Sequence, residues 1–368
     1  MGKDYSSGME NPLGQRLREL SGPLLLTGHT GFKGTWMTFL LEHLNVPVVG
    51  YSLPAEKDSL YDRAKRTGAI PEAFSDIRNY EELEHFIDLH KPSTIIHMAA
   101  QPLVLKSYEN PRETFDVNVM GTVNILDIAL KKDFVKAIVV VSTDKVYRNN
   151  NSGRAFIETD PLEGKDPYSA SKVGTEAVVA AWQQISKVSG GPRIVSVRAG
   201  NVIGGGDFAQ NRLIPDLIRS YLNQTILDVR NSESVRPWQH ALEPLRGYIA
   251  VLEFLLNGST VKTINFGPVG ENISVRELIE MASELLWSSE KIWVNFQKTE
   301  KKSDHESLTL NLDSQLALKV LGLEPIWNQE FAIIKTIDWW NKLLAGNITP
   351  SAAIKSDILE YIECLQGK

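Results

Sequence analysis

The chain has 368 residues, of which 42% are hydrophobic and 23% charged, an ordinary composition for a globular protein. Its formal net charge of -6 argues against non-specific nucleic-acid binding, and no apolar run approaches the roughly 18 residues of a membrane-spanning helix. The single cysteine, Cys364, excludes an intramolecular disulfide and a thiolate metal cluster, which fits a reducing cytoplasm. We expect Cys364 on the buried face of a terminal helix.

Residues 1–20, "MGKDYSSGMENPLGQRLREL", are polar, carry charges of both signs and lack the apolar core of a signal peptide. We expect them to form an extension or a short helix outside the main fold. After them, apolar runs alternate with longer amphipathic stretches. The predicted strands are 24–27, 48–51, 94–99, 137–142, 194–198 and 263–266. The predicted helices include 35–44, 80–89, 111–130, 169–186 and 352–365.

This alternation predicts an α/β fold in which a doubly wound parallel sheet of Rossmann type carries helices on both faces. Such a sheet places its ligand crevice at the carboxyl ends of the strands. After about residue 200, glycine and proline become frequent and the strands become short and scattered. This change predicts a smaller α/β substrate lobe towards the C-terminus.

The stretch "LLLTGHTGFKGTW" places three glycines between the first predicted strand and the first predicted helix. Glycines there permit a tight turn, close approach of the backbone to a diphosphate, and close helix–strand packing. The free N–H groups and the dipole of the helix start attract the same phosphates. The G-x-x-G-x-x-G spacing therefore predicts a dinucleotide site, with contacts from Gly28, Thr30, Gly31, Phe32, Lys33 and Gly34.

The choice of dinucleotide depends on the end of the second strand, where an NAD site usually has an acidic residue. Here "VVGYSL" ends in Tyr51 and Ser52 without an acid, and no arginine pair for a 2′-phosphate is present. We predict NAD. Asp76, in "SDIRN", either reaches the adenine or caps a helix. We expect an NAD-binding domain over 21–200 and, over 201–368, mainly the substrate lobe, interleaved with the last strands of the first domain.

The buried strand in "AIVVVSTDKVY" ends abruptly in polar and charged residues, among them Thr143, Asp144 and Lys145. This end lies where the fold would place its ligand crevice. In "DPYSASK", Tyr168 and Lys172 are four residues apart and share one helix face. A phenol with a pKa of about 10 is a poor base at neutral pH unless a cation stabilises the phenolate, which Lys172 could do.

The glycine loop, "HMAAQPLV", "NVMGT", "STDKVY", "YSASK" and "RAGNVIGGGD" resemble the extended short-chain dehydrogenase/reductase superfamily of nucleotide-sugar enzymes. "TGHTGFKG", "TDKVY", "GGGDFAQNRLIPD" and "RPWQHALEPL" are similar to the branch that dehydrates CDP-glucose. One departure is that Leu105 and Lys106 follow "QPLV", where the family pattern has an arginine. The resemblance implies retained NAD, a CDP-hexose substrate, a homodimer built on a four-helix bundle, and a role in making deoxysugars for O-antigen or other polysaccharides.

Site residues beyond the loop follow from the same resemblance. The further cofactor contacts expected are Tyr51, Asp76, Ile77, Ala99, Ala100, Gln101, Asn118, Tyr168 and Lys172. The expected substrate contacts are Ser107, Asn201, Arg212, Leu213, Arg236 and His240. Among them, Arg236 is the best candidate for the diphosphate because a guanidinium matches phosphate geometry. The seven histidines show no metal-ligand spacing, so we expect no metal site.

The implied reaction oxidises C4 of the hexose, removes water across C5 and C6, and returns hydride to C6. Tyr168 and Thr143 would take the proton of the C4 hydroxyl. The elimination needs an acid and a base with opposite roles, and protonated Asp144 and neutral Lys145 suit them. Burial would raise the pKa of the carboxyl and lower that of the lysine, but their mutual attraction opposes both shifts. Their protonation states therefore stay open.

Two alternatives remain. The chain could be a 4,6-dehydratase or a 4-epimerase acting on a dTDP-, GDP- or UDP-hexose. A 4-epimerase needs the tyrosine and the lysine but no further acid–base pair, so Asp144 and Lys145 argue against it. The fold could instead serve as a cofactor-sensing module without chemistry. The intact set of Thr143, Tyr168 and Lys172 argues against that.

Overall fold

The computed structural model describes residues 13–229, 231–270, 273–286, 293–296 and 309–367. At its centre is a sheet of seven strands that all pair in parallel, in the order β11-β6-β5-β4-β1-β2-β3. These strands are β1 (Leu24–Thr27), β2 (Val48–Ser52), β3 (Glu72–Phe74), β4 (Thr94–His97), β5 (Ala137–Val141), β6 (Arg193–Ala199) and β11 (Thr263–Phe266). Their carboxyl ends therefore lie along one edge of the sheet.

Six shorter strands form three two-stranded pairs, β7–β10, β9–β12 and β8–β13. They are β7 (Val202–Ile203), β8 (Leu227–Val229), β9 (Val235–Arg236), β10 (Gln239–His240), β12 (Ile273–Ser274) and β13 (Val294–Phe296). All of them follow residue 200, whereas β11 from the same part of the chain joins the edge of the large sheet. The division into two domains stays a prediction.

Helices connect the strands. In chain order they are α1 (Gln15–Arg18), α2 (Phe32–His43), α3 (Leu60–Arg63), α4 (Tyr80–His90), α5 (Val104–Glu109), α6 (Pro111–Phe115), α7 (Gly121–Leu130), α8 (Pro167–Ser189), α9 (Leu213–Asn223), α10 (Leu242–Leu256), α11 (Val275–Leu285), α12 (Gln315–Leu321), α13 (Gln329–Leu344) and α14 (Pro350–Gln366). A π-helical turn, Asp116–Met120, joins α6 to α7. A 3₁₀ turn, Asp144–Val146, follows β5. None of the helices in the described ranges has the length and hydropathy of a bilayer-spanning segment.

The central strands are buried on both faces, as their unbroken apolar runs predict. Along β5, Val139 belongs to the core cluster shared with α2 and α10, and Ile138 belongs to the cluster shared with α4 and α7. The same alternation places Leu26 and Leu25 of β1 in different clusters. This double burial holds the carboxyl ends of the strands in a fixed position for the site.

The predicted strands agree with the observed ones except at their ends. We expected strand 94–99, but β4 ends at His97. The physical reason is the Thr27 hydroxyl, which accepts hydrogen bonds from the N–H groups of Met98 and Ala99 and draws the chain out of the ladder. The predicted helix 111–130 is interrupted by the π-helical turn at Asp116–Met120.

The expectation that the N-terminal segment lies outside the fold is wrong for its described part. Leu13 and Leu17 are buried in the main core cluster, and the N–H of Arg16 donates to the Glu253 carboxylate of α10. Residues 1–12 lie outside the described ranges. The short helix α1 is thereby attached to the face of the core that α10 covers.

The expectation for Cys364 is also wrong, because its side chain is exposed. The buried stripe of α14 passes through Ile354, Ile358 and Tyr361, and partly buried Leu365 continues it. A spacing of three and four residues therefore turns position 364 away from the core.

The burial of Leu17 can be tested with a matched pair of variants. Leu17→Ala should lower the free energy of unfolding by about 2–5 kcal/mol, because it removes a buried side chain from a packed core. Leu89→Ala is the control, since Leu89 of α4 is 66% exposed, and it should change that free energy by less than about 0.5 kcal/mol. Urea unfolding measures both. Equal effects would contradict the packing of α1 on the core.

Candidate active site

The three loop glycines meet three different constraints. Gly28 has a φ of 73°, and a Cβ there would lie 2.7 Å from the N–H nitrogen of Ala99. A Cβ on Gly34 would lie 2.2 Å from the carbonyl oxygen of Gly28, so the start of α2 packs directly on the loop. A Cβ on Gly31 would meet only the Gly28 oxygen, at 3.4 Å. The space beside Gly31 therefore opens into the cleft.

A cleft of about 2750 Å³ runs along the carboxyl edge of the large sheet. The predicted loop residues Gly28, Thr30, Gly31, Phe32, Lys33 and Gly34 line it, as do Tyr51, Asp76, Ile77, Ala99, Ala100 and Gln101. The start of α2 presents free N–H groups to the open space beside Gly31. This cradle fits the diphosphate of a dinucleotide.

The far end of the cleft is built on the ends of β2 and β3. The Thr30 hydroxyl is 2.8 Å from the Ser52 hydroxyl and donates to the Leu53 carbonyl, so the loop is tied to the end of β2. Asp76 lines the cleft and is ion-paired with Arg78 at 2.7 Å. Asn79, not Asp76, caps α4, so the helix-cap alternative for Asp76 is wrong.

Two predicted contact residues lie beneath the cleft instead of lining it. Asn118 is buried; its side chain accepts from the N–H of Gln101 and donates to the Gln101 carbonyl and the Ser171 hydroxyl. The Ser107 hydroxyl donates to the Val104 carbonyl and accepts from the N–H of Tyr168. Neither residue lines the cleft as expected, because both are buried and hydrogen-bonded to neighbouring protein groups. They support Gln101 and Tyr168, which do line the cleft.

His240 is a third correction. It is fully buried between Trp36 and Trp327, with ring centroids 5.2 and 4.8 Å away, and does not line the cleft. Burial lowers the pKa of His240 to about 3, so the ring is neutral. Its Nδ1 accepts from the N–H of Leu242. Its role is to pack the core beside the cleft.

Tyr168 and Thr143 meet at the centre of the cleft wall. Burial raises the pKa of Tyr168 to about 12, against a hydrogen bond from Thr143 and the charge of Arg212, which lower it. The Lys172 ammonium donates to the Val141 carbonyl at 2.9 Å, and burial lowers its pKa to about 8. Lys172 is therefore held by the end of β5. Arg212, which the sequence did not indicate for this role, also places a positive charge near the phenol.

Asp144 and Lys145 have opposite environments. Asp144 is 2% exposed; burial raises its pKa, and its Oδ1 accepts from the Thr143 hydroxyl at 3.0 Å. Within the described ranges, its buried Oδ2 has no hydrogen-bond partner. The Lys145 side chain is exposed in the cleft, so the burial expected for it is not present in the protein alone. Burial thus shifts the Asp144 carboxyl towards its protonated form, whereas Lys145 faces the open cleft.

The predicted substrate residues Asn201, Arg212, Leu213 and Arg236 line the other wall of the cleft. Arg212 pairs with Asp207 at 2.9 Å, a carboxylate that the "GGGD" motif contains but that we did not single out. The charge of Arg236 acts on Asp144 and lowers its pKa. Two guanidinium groups therefore face the acid–base residues across the cleft. No group of three or more potential metal ligands was found among the described residues.

Comparison with known proteins identifies the family. The model described as "NAD dependent epimerase/dehydratase family" matches residues 24–267. A CDP-glucose 4,6-dehydratase from Salmonella typhimurium is 38% identical over 88% of this chain and 91% of its own length. A dTDP-glucose 4,6-dehydratase from Escherichia coli is 26% identical over 88% of this chain and 97% of its own.

Solved structures agree in fold. A UDP-glucose 4-epimerase from Thermus thermophilus, in complex with NAD, has a TM-score of 0.74 at 22% identity, covering 86% of this chain and 98% of that chain. A dTDP-glucose 4,6-dehydratase double mutant from Streptomyces venezuelae has a TM-score of 0.73 at 25% identity, covering 87% and 98%. The fold and the site thus define a nucleotide-binding α/β protein.

The chain belongs to the NAD-dependent epimerase/dehydratase family. The predicted resemblance and the predicted doubly wound parallel sheet are confirmed. NAD, predicted from the glycine loop, is confirmed as the cofactor of the family.

The glycine cradle can be tested with two substitutions. Gly31→Ala should fold as the parent does, because its added methyl meets a single atom at 3.4 Å, yet weaken NAD binding about tenfold or more by filling the phosphate space. Gly34→Ala should lose both stability and binding, since its methyl collides with the loop backbone. Thermal unfolding and NAD titration separate the two. Parent-like NAD affinity in Gly31→Ala would place the diphosphate elsewhere.

Proposed function

We propose that the chain is a 4,6-dehydratase that converts CDP-glucose to CDP-4-keto-6-deoxyglucose and water. The observation that carries this proposal is the buried Asp144 carboxyl, raised in pKa and with one oxygen unpartnered among the described residues, beside Tyr168 and Thr143. Loss of water needs such an acid, whereas a 4-epimerase does not. The 38% identity to a CDP-glucose 4,6-dehydratase supports the choice of substrate.

The first step is oxidation at C4. The loop of Gly28, Gly31 and Gly34 would hold NAD, which would supply the hydride acceptor for this step and the hydride donor for the last. The Tyr168 oxygen takes the proton of the C4 hydroxyl, and Thr143 holds the same oxygen by hydrogen bonding. Tyr168 must lose its own proton first, and burial opposes that loss in the protein alone. Arg212, whose charge lowers the pKa of Tyr168, assists the ionisation, and the positive nicotinamide ring adds to it.

The second step is elimination, which the 4-keto group makes feasible by acidifying the C5 proton. Lys145 takes that proton, and the electron pair forms the C5–C6 double bond as the C6–O bond breaks. Asp144 gives its proton to the departing C6 hydroxyl, which leaves as water. Burial raises the pKa of Asp144, which shifts this carboxyl towards the protonated form that the step needs. Hydride addition at C6 and reprotonation of C5 complete the 4-keto-6-deoxy sugar.

Substrate anchoring follows from charge. A nucleoside diphosphate carries negative charge, and guanidinium groups bind phosphate through bidentate hydrogen bonds. We assign this role to Arg236, with Arg212 and Asn201 beside it on the same wall of the cleft. Leu213 at the start of α9 would contact the apolar surface of the substrate. With the diphosphate in place, Lys145 would be enclosed between the sugar and the cleft wall.

We further propose that the protein is a homodimer of the reducing cytoplasm that serves deoxysugar synthesis for O-antigen or other polysaccharides. Helices α6 and α8 pack together, and exposed apolar side chains lie on them and on the adjoining π-helical turn, namely Phe115, Met120, Ile185 and Val188. Exposed apolar groups of this kind favour association with a second copy. A single cysteine supports a reducing compartment.

A substrate panel tests the proposed reaction. Incubation with CDP-, dTDP-, GDP- and UDP-glucose, followed by alkali, should develop the absorbance of a 4-keto sugar with CDP-glucose only. Mass spectrometry should show the loss of one water from the same sample. Product from another nucleotide sugar, with none from CDP-glucose, would overturn the substrate assignment. Conversion of the nucleotide sugar to its 4-epimer, without loss of water, would overturn the reaction assignment.

The roles of Tyr168 and Lys145 can be separated by half-reactions. Tyr168→Phe should slow hydride transfer by about 10²–10⁴, because it removes the proton acceptor of the first step. Lys145→Ala should still reduce bound NAD when CDP-glucose is added, yet form little product. Absorbance at the reduced-nicotinamide band in stopped flow measures both. Lys106→Ala is the matched control, because Lys106 is also an exposed lysine of the cleft. Full turnover by Lys145→Ala would remove it as the base.

A further inference from the structure

Lys33 occupies an unusual place in the cleft. It is the second residue of α2 and follows directly on the open space beside Gly31. Its Nζ lies 3.4 Å from the hydroxyl of Tyr248 and 5.6 Å from the centre of that ring. Tyr248, on α10, is fully buried. Within the described ranges, no carboxylate lies at ion-pair distance from Lys33.

The charged groups that act on Lys33 are mostly of its own sign. Lys172 of α8 and Arg212 before α9 repel the ammonium form, and the positive end of the α2 dipole adds to them. Among the described residues, the acid that acts on it is Asp144, whose own pKa is raised by burial. Together with burial, these charges lower the pKa of Lys33 to about 7. The ligand-free cleft therefore has a deficit of negative charge at Lys33.

We propose that Lys33 takes up a proton when the diphosphate of NAD binds at the start of α2, so that this amino group links cofactor affinity to pH. The diphosphate supplies the two negative charges that this part of the cleft lacks. We place the diphosphate beside Gly31, where the backbone leaves space, and therefore close to Lys33, two residues further along the chain. The inference rests on NAD binding, which is part of the proposed function, but not on the sugar chemistry.

The direction of the pH effect on NAD affinity follows from the linkage between NAD binding and proton binding. An anion stabilises the ammonium form, so the pKa of Lys33 is higher in the complex than in the free protein. Below about pH 7 the lysine is already protonated and NAD affinity is independent of pH. Above it, binding must take up a proton, so affinity falls by up to about tenfold per pH unit until the pKa of the complex is reached.

Calorimetry of the full-length chain, freed of bound dinucleotide, tests the proposal. ADP-ribose is the main probe, because it carries the diphosphate without the positive nicotinamide ring. At about pH 8, in two buffers of different ionisation enthalpy, binding should take up nearly one proton through Lys33. Adenosine, which lacks the diphosphate, should not cause this uptake. NAD should behave as ADP-ribose does.

Substitutions identify the side chain that takes up the proton. Lys33→Arg keeps a permanent charge, so it should bind ADP-ribose with most of the uptake abolished and with a flatter pH profile. Lys33→Met should lose the uptake and bind more weakly at about pH 6, where the parent lysine is charged. Lys106→Met removes an exposed lysine of the cleft and should keep the Lys33 contribution.

Two results would overturn the inference. One is unchanged proton uptake in Lys33→Arg, which would assign the proton to another group. The other is tight binding of ADP-ribose with no uptake in the parent protein, which would mean that Lys33 keeps its charge state. Neither result bears on whether CDP-glucose is dehydrated, so a failure here is distinguishable from a failure of the proposed reaction. Loss of all dinucleotide binding by the parent protein would contradict both.

Discussion

The cleft depends on burying ionisable groups without giving them ion-pair partners. Asp144 and Lys172 are buried at the end of β5, and within the described ranges neither belongs to an ion pair. An unpaired charge in such a place is costly, so each group shifts towards its neutral form. The pKa of Asp144 rises, and those of Lys172 and Lys33 fall. Burial, together with the charges that act on these groups, thus moves their pKa values towards neutral pH.

Helix α8 shows a contrast with the cleft, because its buried charge further along the helix has an ion-pair partner. Two turns below Tyr168, Glu176 pairs with Arg198 of β6 through bonds of 2.8 and 2.9 Å, although both residues are buried. There the burial is fully compensated, and the pair fixes the helix against the sheet. At the other end, the capping box of Asp166 and Ser169 fixes the first turn. Tyr168 lies between these two attachments, so its backbone position in the first turn of α8 is fixed.

Support for the chemistry also comes from residues that touch no ligand. Ser107 holds the N–H of Tyr168, and Asn118 holds both polar backbone groups of Gln101 while also bonding Ser171 of α8. Because α5, the π-helical turn and α8 meet through these two side chains, the two walls of the cofactor site are joined. Substitution of either residue would act on the geometry of Tyr168 or Gln101.

Sequence patterns predicted the features that depend on local spacing. The strands follow from apolar runs, the cradle from the glycine spacing, and the polar end of β5 from an abrupt change of composition. The errors share a different cause. Ser107, Asn118 and His240 are polar residues in or near motifs, and a motif does not distinguish a ligand contact from a group that supports one. Only the fold shows that all three side chains are buried away from the cleft lining.

Contacts between residues that are far apart in the chain could not be predicted from the sequence, for the same reason. Lys33 meets Tyr248 across 215 positions of chain, and Arg212 acts on Tyr168 across the cleft. Neither pairing has a spacing that local reasoning could detect. The buried position of α1 depends likewise on Glu253 of α10, 237 residues from Arg16. Charges and contacts of this kind decide pKa values, so protonation states had to wait for the structure.

Asp144 and Lys145 are adjacent residues of one short turn, yet they lie in opposite surroundings. Asp144 is buried and its pKa is raised, whereas Lys145 projects into the open cleft. An acid kept ready but a base exposed to water cannot complete an elimination by themselves. The hexose must displace water from Lys145 before that amine can act as a base at C5. We therefore propose an order of events in which the protein supplies the acid and the bound substrate creates the environment in which the base works.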